Sequence, residues 1–263
     1  MNVLITGASG GLGRSLAVEC ARRGCRILLT DVHVTGLQAL QTGLERQYGV
    51  DVAVKACDLT RDDSVDELLN FADSHGLQFE MLLNVAGLDH EGGFLDVDRQ
   101  KILEIVGLDV TATLRITHSI LKRRKAGKKF YLLFVSSLAS MNPMPLKATY
   151  AASKRFLLDF SIAIGQELKT QNVRTMALCP GGLATTPAAM SGIAVQGIMG
   201  NLTTNKLEAV VRNTIKHLLR GKKIYIPGIL NRTLSTIGKL IPRSAVSALL
   251  LNRWKIAQSK WIT

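Results

Sequence analysis

The chain has 263 residues, enough to bury a full hydrophobic core and more suited to one α/β domain than to two domains of ordinary size. Hydrophobic residues make up 47% of it, yet no apolar run approaches the roughly 18 residues that a membrane-spanning helix needs. The sequence enters a strand-like segment directly after Met1, so it gives no sign of a secretory signal. The four cysteines form no C-x-x-C pair, which favours reduced thiols and a cytoplasmic protein.

The net charge of +13 is concentrated at one end of the sequence. Residues 206–263 contain twelve Lys and Arg against one acid, Glu208, a net charge of +11, which leaves +2 for everything before them. A basic segment of this kind attracts anionic lipid, nucleic acid or an acidic partner. The simpler interpretation, which we prefer, is a surface that is only solvated.

A glycine-rich turn joins the first predicted strand, Asn2–Thr6, to a helical stretch that ends at Gly24. The turn reads TGASGGLG from Thr6 to Gly13. Glycines let the backbone turn sharply and approach a pyrophosphate, and the N–H groups at the start of the helix attract its negative charge. The order of strand, turn and helix therefore predicts a dinucleotide-binding turn.

A second strand is predicted over Arg26–Thr30, and Asp31 follows it about 20 residues after the glycines. A carboxylate at this point accepts hydrogen bonds from the hydroxyls of an adenosine ribose. It would repel a 2′-phosphate, and no arginine follows directly, so the sequence favours NAD. Arg14 and Arg26 keep NADP open as the alternative.

Short apolar runs alternate with helical stretches along the rest of the chain. This alternation predicts an α/β fold, a Rossmann-type doubly wound parallel sheet of about seven strands with helices on both faces. Such sheets bind ligands at the carboxyl ends of their strands, where Gly7, Asp31, Asp58 and Asn84 fall. The remaining predicted strands are Val52–Ala56, Glu80–Asn84, Phe130–Val135, Val173–Leu178 and Ile224–Ile226.

A tyrosine and a lysine stand four residues apart in the segment ATYAASK, Ala148–Lys154. In the predicted helix 149–169 they share one face. A phenol beside an ammonium group has its anionic form favoured, which lowers its pKa towards neutrality. Tyr150 is therefore a candidate general acid/base with Lys154 as its partner.

Five motifs in one order resemble the short-chain dehydrogenase/reductase family over roughly residues 1–190. They are the glycine turn, NVAG at 84–87, the serine pair at 136–137, YAASK and the CPGGLATTP turn that begins at Cys179. The resemblance implies an enzyme that transfers a hydride between a nicotinamide cofactor and a carbonyl/alcohol pair. Negative charge develops on the carbonyl oxygen in such a step, so two donors on one oxygen are required.

The resemblance also implies the roles of individual residues. Tyr150 is the acid/base, Ser137 orients the substrate with Ser136 as the weaker candidate, and Lys154 holds the nicotinamide ribose and lowers the pKa of Tyr150. The candidate catalytic residues are Ser137, Tyr150, Lys154 and Asp109. The candidate cofactor-binding residues are Gly7, Ser9, Gly11, Leu12, Gly13, Asp31, Asp58, Leu59, Asn84, Ala86, Gly87, Tyr150, Lys154, Pro180, Gly181 and Thr185.

Asp109 departs from the family pattern, which commonly has an asparagine there that holds a water in a proton relay. An ionised Asp is nearly isosteric with Asn but only accepts hydrogen bonds. It either still binds the water or pairs with Lys154 and weakens the effect of Lys154 on Tyr150. A catalytically silent dinucleotide-binding regulator or scaffold is therefore the alternative function. A sugar-nucleotide epimerase or dehydratase would use the same Tyr and Lys but normally needs a longer substrate domain.

An uncharged loop between Pro180 and Lys206 favours an apolar substrate, a ketone, alcohol or 3-oxoacyl chain. In the resembled family this region closes over the substrate; the alternative is a loop that never touches it. The apolar residues of this loop include Met190, Ile193, Val195, Ile198, Met199 and Leu202.

We divide the chain into a dinucleotide-binding catalytic domain, 1–230, and a basic amphipathic helical extension, 231–263. Three alternatives remain for the extension: packing on its own domain or on a sister subunit of a homodimer or homotetramer, a lid over the cleft, or peripheral docking on an anionic membrane. No element resembles a nucleic-acid reader and no metal site is predicted. One helical stripe is formed by Val246, Leu250, Trp254, Ala257 and Trp261.

Overall fold

The computed structural model describes residues 1–124, 127–185, 190, 202–238 and 240–259, and for 253–259 only the helical backbone. Several predicted features therefore lie outside the described residues. They are Ile193, Val195, Ile198 and Met199 of the apolar loop, Trp261, and the side chains of Trp254 and Ala257.

Seven parallel strands form one sheet, which confirms the predicted doubly wound fold. The strands are β1 (Asn2–Thr6), β2 (Arg26–Asp31), β3 (Val52–Ala56), β4 (Met81–Asn84), β5 (Phe130–Val135), β6 (Val173–Leu178) and β7 (Ile224–Tyr225). Their spatial order is β3-β2-β1-β4-β5-β6-β7. β1 lies in the interior of the sheet, with Val3 opposite both Ile27 and Met81. The strands are apolar at most positions because both faces of a parallel sheet are covered.

Nine helices are described around the sheet. They are α1 (Gly11–Arg22), α2 (Val34–Tyr48), α3 (Ser64–Ser74), α4 (Arg99–Val106), α5 (Thr113–Arg123), α6 (Ala148–Glu167), α7 (Leu207–Leu219), α8 (Ile229–Ile237) and α9 (Arg243–Ser259). Alternate residues of β1 divide the core. Val3 and Ile5 join a cluster with α1, α2 and α7, while Leu4 joins a cluster with α3, α5 and α6. The strand order reverses between β1 and β4, which opens a crevice at their carboxyl ends.

A π-helical turn, Gly107–Ala112, joins α4 to α5 without a break. The wider turn interrupts the regular α-helical hydrogen bonding between α4 and α5. A π-turn accommodates one extra residue within a helix and is frequent at functional sites. Asp109 lies in this turn and is completely buried, 0% exposed.

The segment after β7 forms two helices, as the sequence predicts for an extension. The boundary expected after residue 230 falls inside the first turn of α8, and the division into two parts stays a prediction. All four cysteines are buried and free. Within the described ranges, no helix has both the length and the apolar character required to cross a bilayer.

Candidate active site

The turn between β1 and α1 leaves no room for side chains at its glycines. Gly7 has a φ of 63°, and a Cβ there would lie 2.7 Å from the backbone N and Cα of Ala86. A Cβ on Gly13 would lie 2.1 Å from the carbonyl oxygen of Gly7. The helix begins after Gly10, and no side chain in the described part of the chain caps it. Its first N–H groups, including that of Leu12, whose side chain packs on the core, are therefore available to an anion.

Asp31 ties the end of β2 to the glycine turn. Its Oδ2 accepts a hydrogen bond from the backbone N–H of Ser9 at 3.0 Å, and its Oδ1 accepts one from His33 N–H at 3.1 Å. A carboxylate has lone pairs beyond these two bonds, so it can still accept from ribose hydroxyls. Arg14 lies close by, with Nη2 donating to the Ser9 carbonyl at 3.2 Å.

Thr6, which the sequence analysis did not single out, holds the NVAG segment against β1. Its Oγ1 accepts hydrogen bonds from the N–H groups of Val85 (3.0 Å) and Ala86 (3.2 Å). Asn84 donates to Thr117 Oγ1 at 3.1 Å, while its buried Oδ1 has no partner within the described chain. Thr6 is the first letter of the TGASGGLG motif, so the motif itself contained the signal.

Asp58 and Leu59 follow β3 at the edge of the sheet. Asp58 Oδ1 accepts hydrogen bonds from the N–H (3.0 Å) and hydroxyl (2.6 Å) of Thr60, and these bonds lower the pKa of the exposed Asp58 carboxyl. Leu59 is buried. This places both residues at the carboxyl edge, on the far side of β2 from the glycine turn.

Asp109 and Lys154 form a buried ion pair beside Gly87. The Lys154 Nζ lies 3.1 Å from Asp109 Oδ2, and the N–H of Leu88 donates to Asp109 Oδ1 at 2.9 Å. A Cβ on Gly87 would lie 2.7 Å from Lys154 Nζ and 2.8 Å from Asp109 Oδ1. Of the two alternatives for Asp109, the structure therefore has the pairing with Lys154.

Ser153 completes the surroundings of Asp109 and was missed from the sequence. Its hydroxyl is 2.7 Å from Asp109 Oδ2 and 2.9 Å from the Tyr150 carbonyl oxygen, so one O–H serves two acceptors. Ser153 stands inside YAASK, one residue before Lys154. An ionised Asp109 can only accept hydrogen bonds, so a buried Asp109 requires donors around it. That requirement could have identified Ser153 from the sequence.

Tyr150 projects from the first turns of α6, with Lys154 Nζ 5.6 Å from its ring centroid. Burial, followed by the carboxylate of Asp89, raises the pKa of Tyr150 well above its ordinary value; Asp109 adds to this, and a hydrogen bond with Ser137 opposes it. The sequence predicts a pKa lowered by Lys154. In the structure, burial and then the carboxylate of Asp89 raise this pKa instead.

The two serines after β5 have different environments. Ser136 is buried, and its hydroxyl donates to the Lys154 carbonyl at 2.7 Å, which attaches α6 to the strand end. Ser137 Oγ accepts from the Ala139 N–H at 3.1 Å, and its hydroxyl is hydrogen-bonded with Tyr150. The geometry agrees with the preference for Ser137.

The segment after β6 crosses over the glycine turn. The Pro180 carbonyl accepts a hydrogen bond from Leu138 N–H at 2.7 Å, and a Cβ on Gly181 would lie 2.5 Å from the Thr203 carbonyl. A Cβ on Gly11 would lie 2.6 Å from the Cβ of Thr185. The structure thus brings the predicted residues to one edge of the sheet, from the glycine turn to the Ser137–Tyr150–Lys154 group.

The residues at this edge fit a nicotinamide dinucleotide. The uncapped helix start suits its diphosphate, Asp31 suits a ribose, and Lys154 retains donors beside Tyr150. A doubly wound sheet with such a site places the protein in the dinucleotide-binding class of α/β proteins. The family model described as short chain dehydrogenase matches residues 1–194, and the chain belongs to this family.

Curated relatives carry oxidoreductase names. The chain is 30% identical over 172 residues to a very-long-chain 3-oxoacyl-CoA reductase of Laccaria bicolor, a match that covers 65% of this chain and 51% of the relative. It is 28% identical over 221 residues to 17-beta-hydroxysteroid dehydrogenase type 3 of Homo sapiens, covering 83% of this chain and 68% of the relative. The chain thus spans about half the length of the fungal relative.

Solved structures share the fold over most of the chain. A structure that concerns the stereoselectivity of 7beta-hydroxysteroid dehydrogenase superposes with a TM-score of 0.82 at 22% identity, covering 95% of this chain and 96% of that one. A short-chain dehydrogenase from Sphingobium yanoikuyae, in complex with NADPH, gives a TM-score of 0.76 at 25% identity, covering 90% and 92%. A Brucella melitensis 3-ketoacyl-(acyl-carrier-protein) reductase, complexed with NADH, gives 0.75 at 22%, covering 86% and 96%.

Proposed function

We propose that the protein transfers a hydride between a nicotinamide cofactor and an apolar carbonyl/alcohol substrate of the ketone or 3-oxoacyl type, with Tyr150 as the acid/base. The observation that carries the proposal is the meeting of the Ser137 hydroxyl, the Tyr150 phenol and the Lys154–Asp109 pair at the end of the glycine-turn crevice. The reductase and dehydrogenase names of the curated relatives support the same reaction class.

Tyr150 and Ser137 act on one oxygen of the substrate. The bound cofactor supplies or takes the hydride. In the direction of reduction, the Tyr150 hydroxyl gives its proton to the carbonyl oxygen while the Ser137 hydroxyl donates a hydrogen bond to it, so that the negative charge developing there is neutralised. Because its pKa is raised, Tyr150 holds its proton at neutral pH, so the proton that it donates in reduction is present.

An apolar substrate is supported by the walls around Tyr150. A cavity of about 80 Å³ adjoins the tyrosine. Its lining is mixed: Lys147 is charged and His90 and Thr149 are polar, while most of the other side chains are apolar. Its apolar side chains belong to Phe94, Val97, Ile102, Ile105 and Leu146. Such walls match a hydrocarbon substituent on the carbonyl carbon.

We propose NAD as the preferred cofactor, with NADP as the alternative. Asp31 at the end of β2 can accept from both hydroxyls of an unmodified ribose and repels a 2′-phosphate. Arg14, bonded to the Ser9 carbonyl, is the residue that would favour NADP.

A catalytically silent dinucleotide-binding regulator is the second candidate, and the Asp109–Lys154 pair favours it. A compensated Lys154 does little to ionise Tyr150, so turnover depends on the phenol acting as an acid. The two candidates differ in one measurement. Tight cofactor binding without oxidation of NADH or NADPH by any ketone or 3-oxoacyl thioester would favour the regulator.

The function is tested with Tyr150→Phe and a matched variant, Tyr131→Phe, which removes a hydroxyl from β5. Following NADH or NADPH oxidation with a ketone panel, we expect at least a hundredfold loss of kcat for Tyr150→Phe, since a positioned acid contributes about 10² to 10⁴. Cofactor affinity should change by less than about twofold because the phosphate and ribose contacts remain. Equal turnover of the two variants would refute the assignment of Tyr150.

We further propose a cytoplasmic homodimer or homotetramer with a catalytic domain over 1–230. The buried free thiols agree with a reducing compartment, and the exposed Leu103 and Val106 on α4 offer an apolar contact for a sister subunit. Light scattering at two protein concentrations measures the oligomer size.

A further inference from the structure

Helix α8 has its polarity reversed relative to an ordinary surface helix. Asn231 and Ser235, four residues apart on one face, are 1% and 5% exposed. Asn231 Nδ2 donates to the carbonyls of Thr203 (3.0 Å) and Pro227 (2.9 Å), which anchors this polar face to the domain. A helix that packs on a core normally buries its apolar face instead.

The outer side of α8 and the chain that follows it carry aliphatic residues into solvent. Ile229 is 77% exposed and Leu240 83% exposed. We call this set the α8 apolar face: Ile229, Leu234, Ile237, Leu240 and Ile241, all exposed. An exposed aliphatic patch of this kind marks a surface that associates with something apolar.

A group of cations lies next to α8. Burial and then the charges of Lys222, Arg220, Lys216 and Arg232 lower the pKa of His217. The Lys222 Nζ lies 5.6 Å from the ring centroid of Tyr225, which is itself 4.7 Å from that of His217, so these four cations lie on one part of the surface. We call them the basic cluster. Arg232 belongs to α8 itself, and the other three come from the end of α7 and the turn after it, so the cluster adjoins the α8 apolar face. All four are exposed.

The charges around this face have no acidic counterpart. After Glu208 the sequence contains eleven Lys and Arg and no Asp or Glu. Within the described ranges, no ion pair includes a residue beyond Asp159. Self-association through this face would bring two cationic surfaces together, which like-charge repulsion opposes. An anionic layer with an apolar interior satisfies both the cations and the aliphatic side chains.

We propose that the α8 apolar face and the basic cluster dock the protein on the surface of an anionic phospholipid bilayer. The apolar face enters the boundary between headgroups and acyl chains, and the basic cluster contacts the phosphates. The end of α8 approaches Asn142, with a Cβ on Gly238 falling 2.8 Å from its Nδ2, and Asn142 directly follows the 3₁₀-helix Leu138–Met141 after Ser137. Docking therefore places the substrate side of the cleft at the membrane, a consequence that rests on the proposed oxidoreductase function.

The test is sedimentation of the full chain with phosphatidylcholine vesicles and with vesicles in which phosphatidylglycerol replaces part of the phosphatidylcholine. It needs neither cofactor nor turnover, so its outcome is separate from that of the activity assay. We expect binding to the anionic vesicles, weaker binding to the neutral ones, and loss of the difference in high salt. Equal, negligible sedimentation with both lipids would overturn the proposal.

Three variants separate the two halves of the surface. Ile237→Glu should weaken partition into anionic vesicles by at least about tenfold. The change removes an aliphatic side chain that the membrane buries in the docked state, and it adds a negative charge that the anionic lipid repels. Arg232→Gln should reduce the preference for anionic over neutral lipid. Val34→Glu, which changes an exposed valine of α2, is the matched control and should bind like the parent.

A second copy of the chain is the competing occupant. It is detected by light scattering of the parent and of Ile237→Glu without lipid. A parent oligomer that dissociates in Ile237→Glu, with vesicle binding unchanged, would assign the face to self-association and overturn the lipid proposal. An unchanged oligomeric state with weakened vesicle binding supports it.

Discussion

Asp109 is the residue on which the chemistry of this site depends most. It is buried, accepts from Leu88 N–H and the Ser153 hydroxyl, and pairs with Lys154. A buried pair that loses one partner leaves an uncompensated charge, which is far more costly than the pair is stabilising. In the proposed mechanism, Asp109 acts through Lys154, as a positioning residue for Tyr150.

We expect Asp109→Asn to shift the pH profile of alcohol oxidation downwards. Removal of the carboxylate takes away one cause of the raised Tyr150 pKa and frees the charge of Lys154, so the phenol ionises at lower pH. Asparagine would also place an NH₂ donor where one carboxylate oxygen of Asp109 now accepts, and the groups around it are themselves donors. This should lower the free energy of unfolding by about 2 kcal/mol. The measurements are kcat against pH and urea unfolding.

Asp89→Asn is the control for this shift. The exposed Asp89 also raises the pKa of Tyr150 but pairs with Lys147 instead of Lys154. Asp89→Asn should also shift the pH profile of alcohol oxidation to lower pH. The free energy of unfolding should change little, since an exposed ion pair contributes little to stability. A shift of the pH profile to higher pH in Asp109→Asn would show that the Asp109 carboxylate does not raise the pKa of Tyr150.

Asp31→Ala should weaken NAD binding by about tenfold or more and NADP binding less. The carboxylate offers its remaining lone pairs to ribose hydroxyls and repels a 2′-phosphate, so its loss removes attraction for one cofactor and repulsion for the other. Titration of both cofactors gives the two Kd values. Asp51→Ala, which removes only the exposed ion pair with Arg26, is the control and should leave both Kd values near those of the parent. A larger loss of NADP binding than of NAD binding in Asp31→Ala would contradict the proposed preference for NAD.

The residues of the site were predictable where a motif fixed them in sequence. The glycine turn, Asp31 and the Tyr150–Lys154 spacing all have a local signature. The Asp109–Lys154 contact joins residues 45 positions apart, and the sequence left it as one of two alternatives. The raised pKa of Tyr150 was not predictable, because it depends on burial and on Asp89, neither of which any spacing specifies.

At the scale of elements, the turn between β1 and α1 tolerates the least change. Gly13→Ala would place its Cβ 2.1 Å from the Gly7 carbonyl oxygen, so the backbone of the turn must move. We expect the free energy of unfolding to fall by about 2 kcal/mol or more, with loss of cofactor binding. Urea unfolding and cofactor titration measure these effects.

The control for this glycine is Gly43→Ala in the middle of α2. A Cβ there meets nothing within 4 Å, and the residue is exposed. Alanine should raise the free energy of unfolding by about 0.5 to 1 kcal/mol through helix propensity. Destabilisation of Gly43→Ala to the level of Gly13→Ala would show that glycine content, and not the packing of the turn, controls stability.

The strands could be predicted because most of them are short runs buried on both faces between helices. β1, β3, β5 and β6 have the predicted bounds, and the others differ by one residue. The π-turn could not be predicted, since one extra residue barely alters the apolar period of a helix. The reversed polarity of α8 was also hidden, because its buried partners are the carbonyls of Thr203 and Pro227, whose approach no local pattern encodes.

At the scale of the whole molecule, the four thiols should be unreactive in the native state. All are buried, and burial raises the pKa of Cys179 to about 12 and that of Cys57 above its ordinary value. A thiol reagent at pH 8 should therefore modify the native protein slowly and all four cysteines rapidly after denaturation. Rapid modification of one cysteine in the native protein would reveal local opening. Cys25 is the first to inspect, because a hydrogen bond with Cys20 lowers its pKa to about 7.

The position of β1 within the sheet has a consequence for how the protein is made. Of the seven strands, the ribosome produces this one first, yet one of its two edges pairs with β4, where Val3 meets Met81 nearly eighty residues later. The edge of β1 that faces β4, a strand with four buried residues, therefore stays unpaired until β4 has been synthesised. Parallel pairings between distant segments close slowly, and exposed strand edges associate with other chains in the meantime. Refolding should accordingly be more efficient in dilute solution than in concentrated solution, and chaperones should raise the yield of expression.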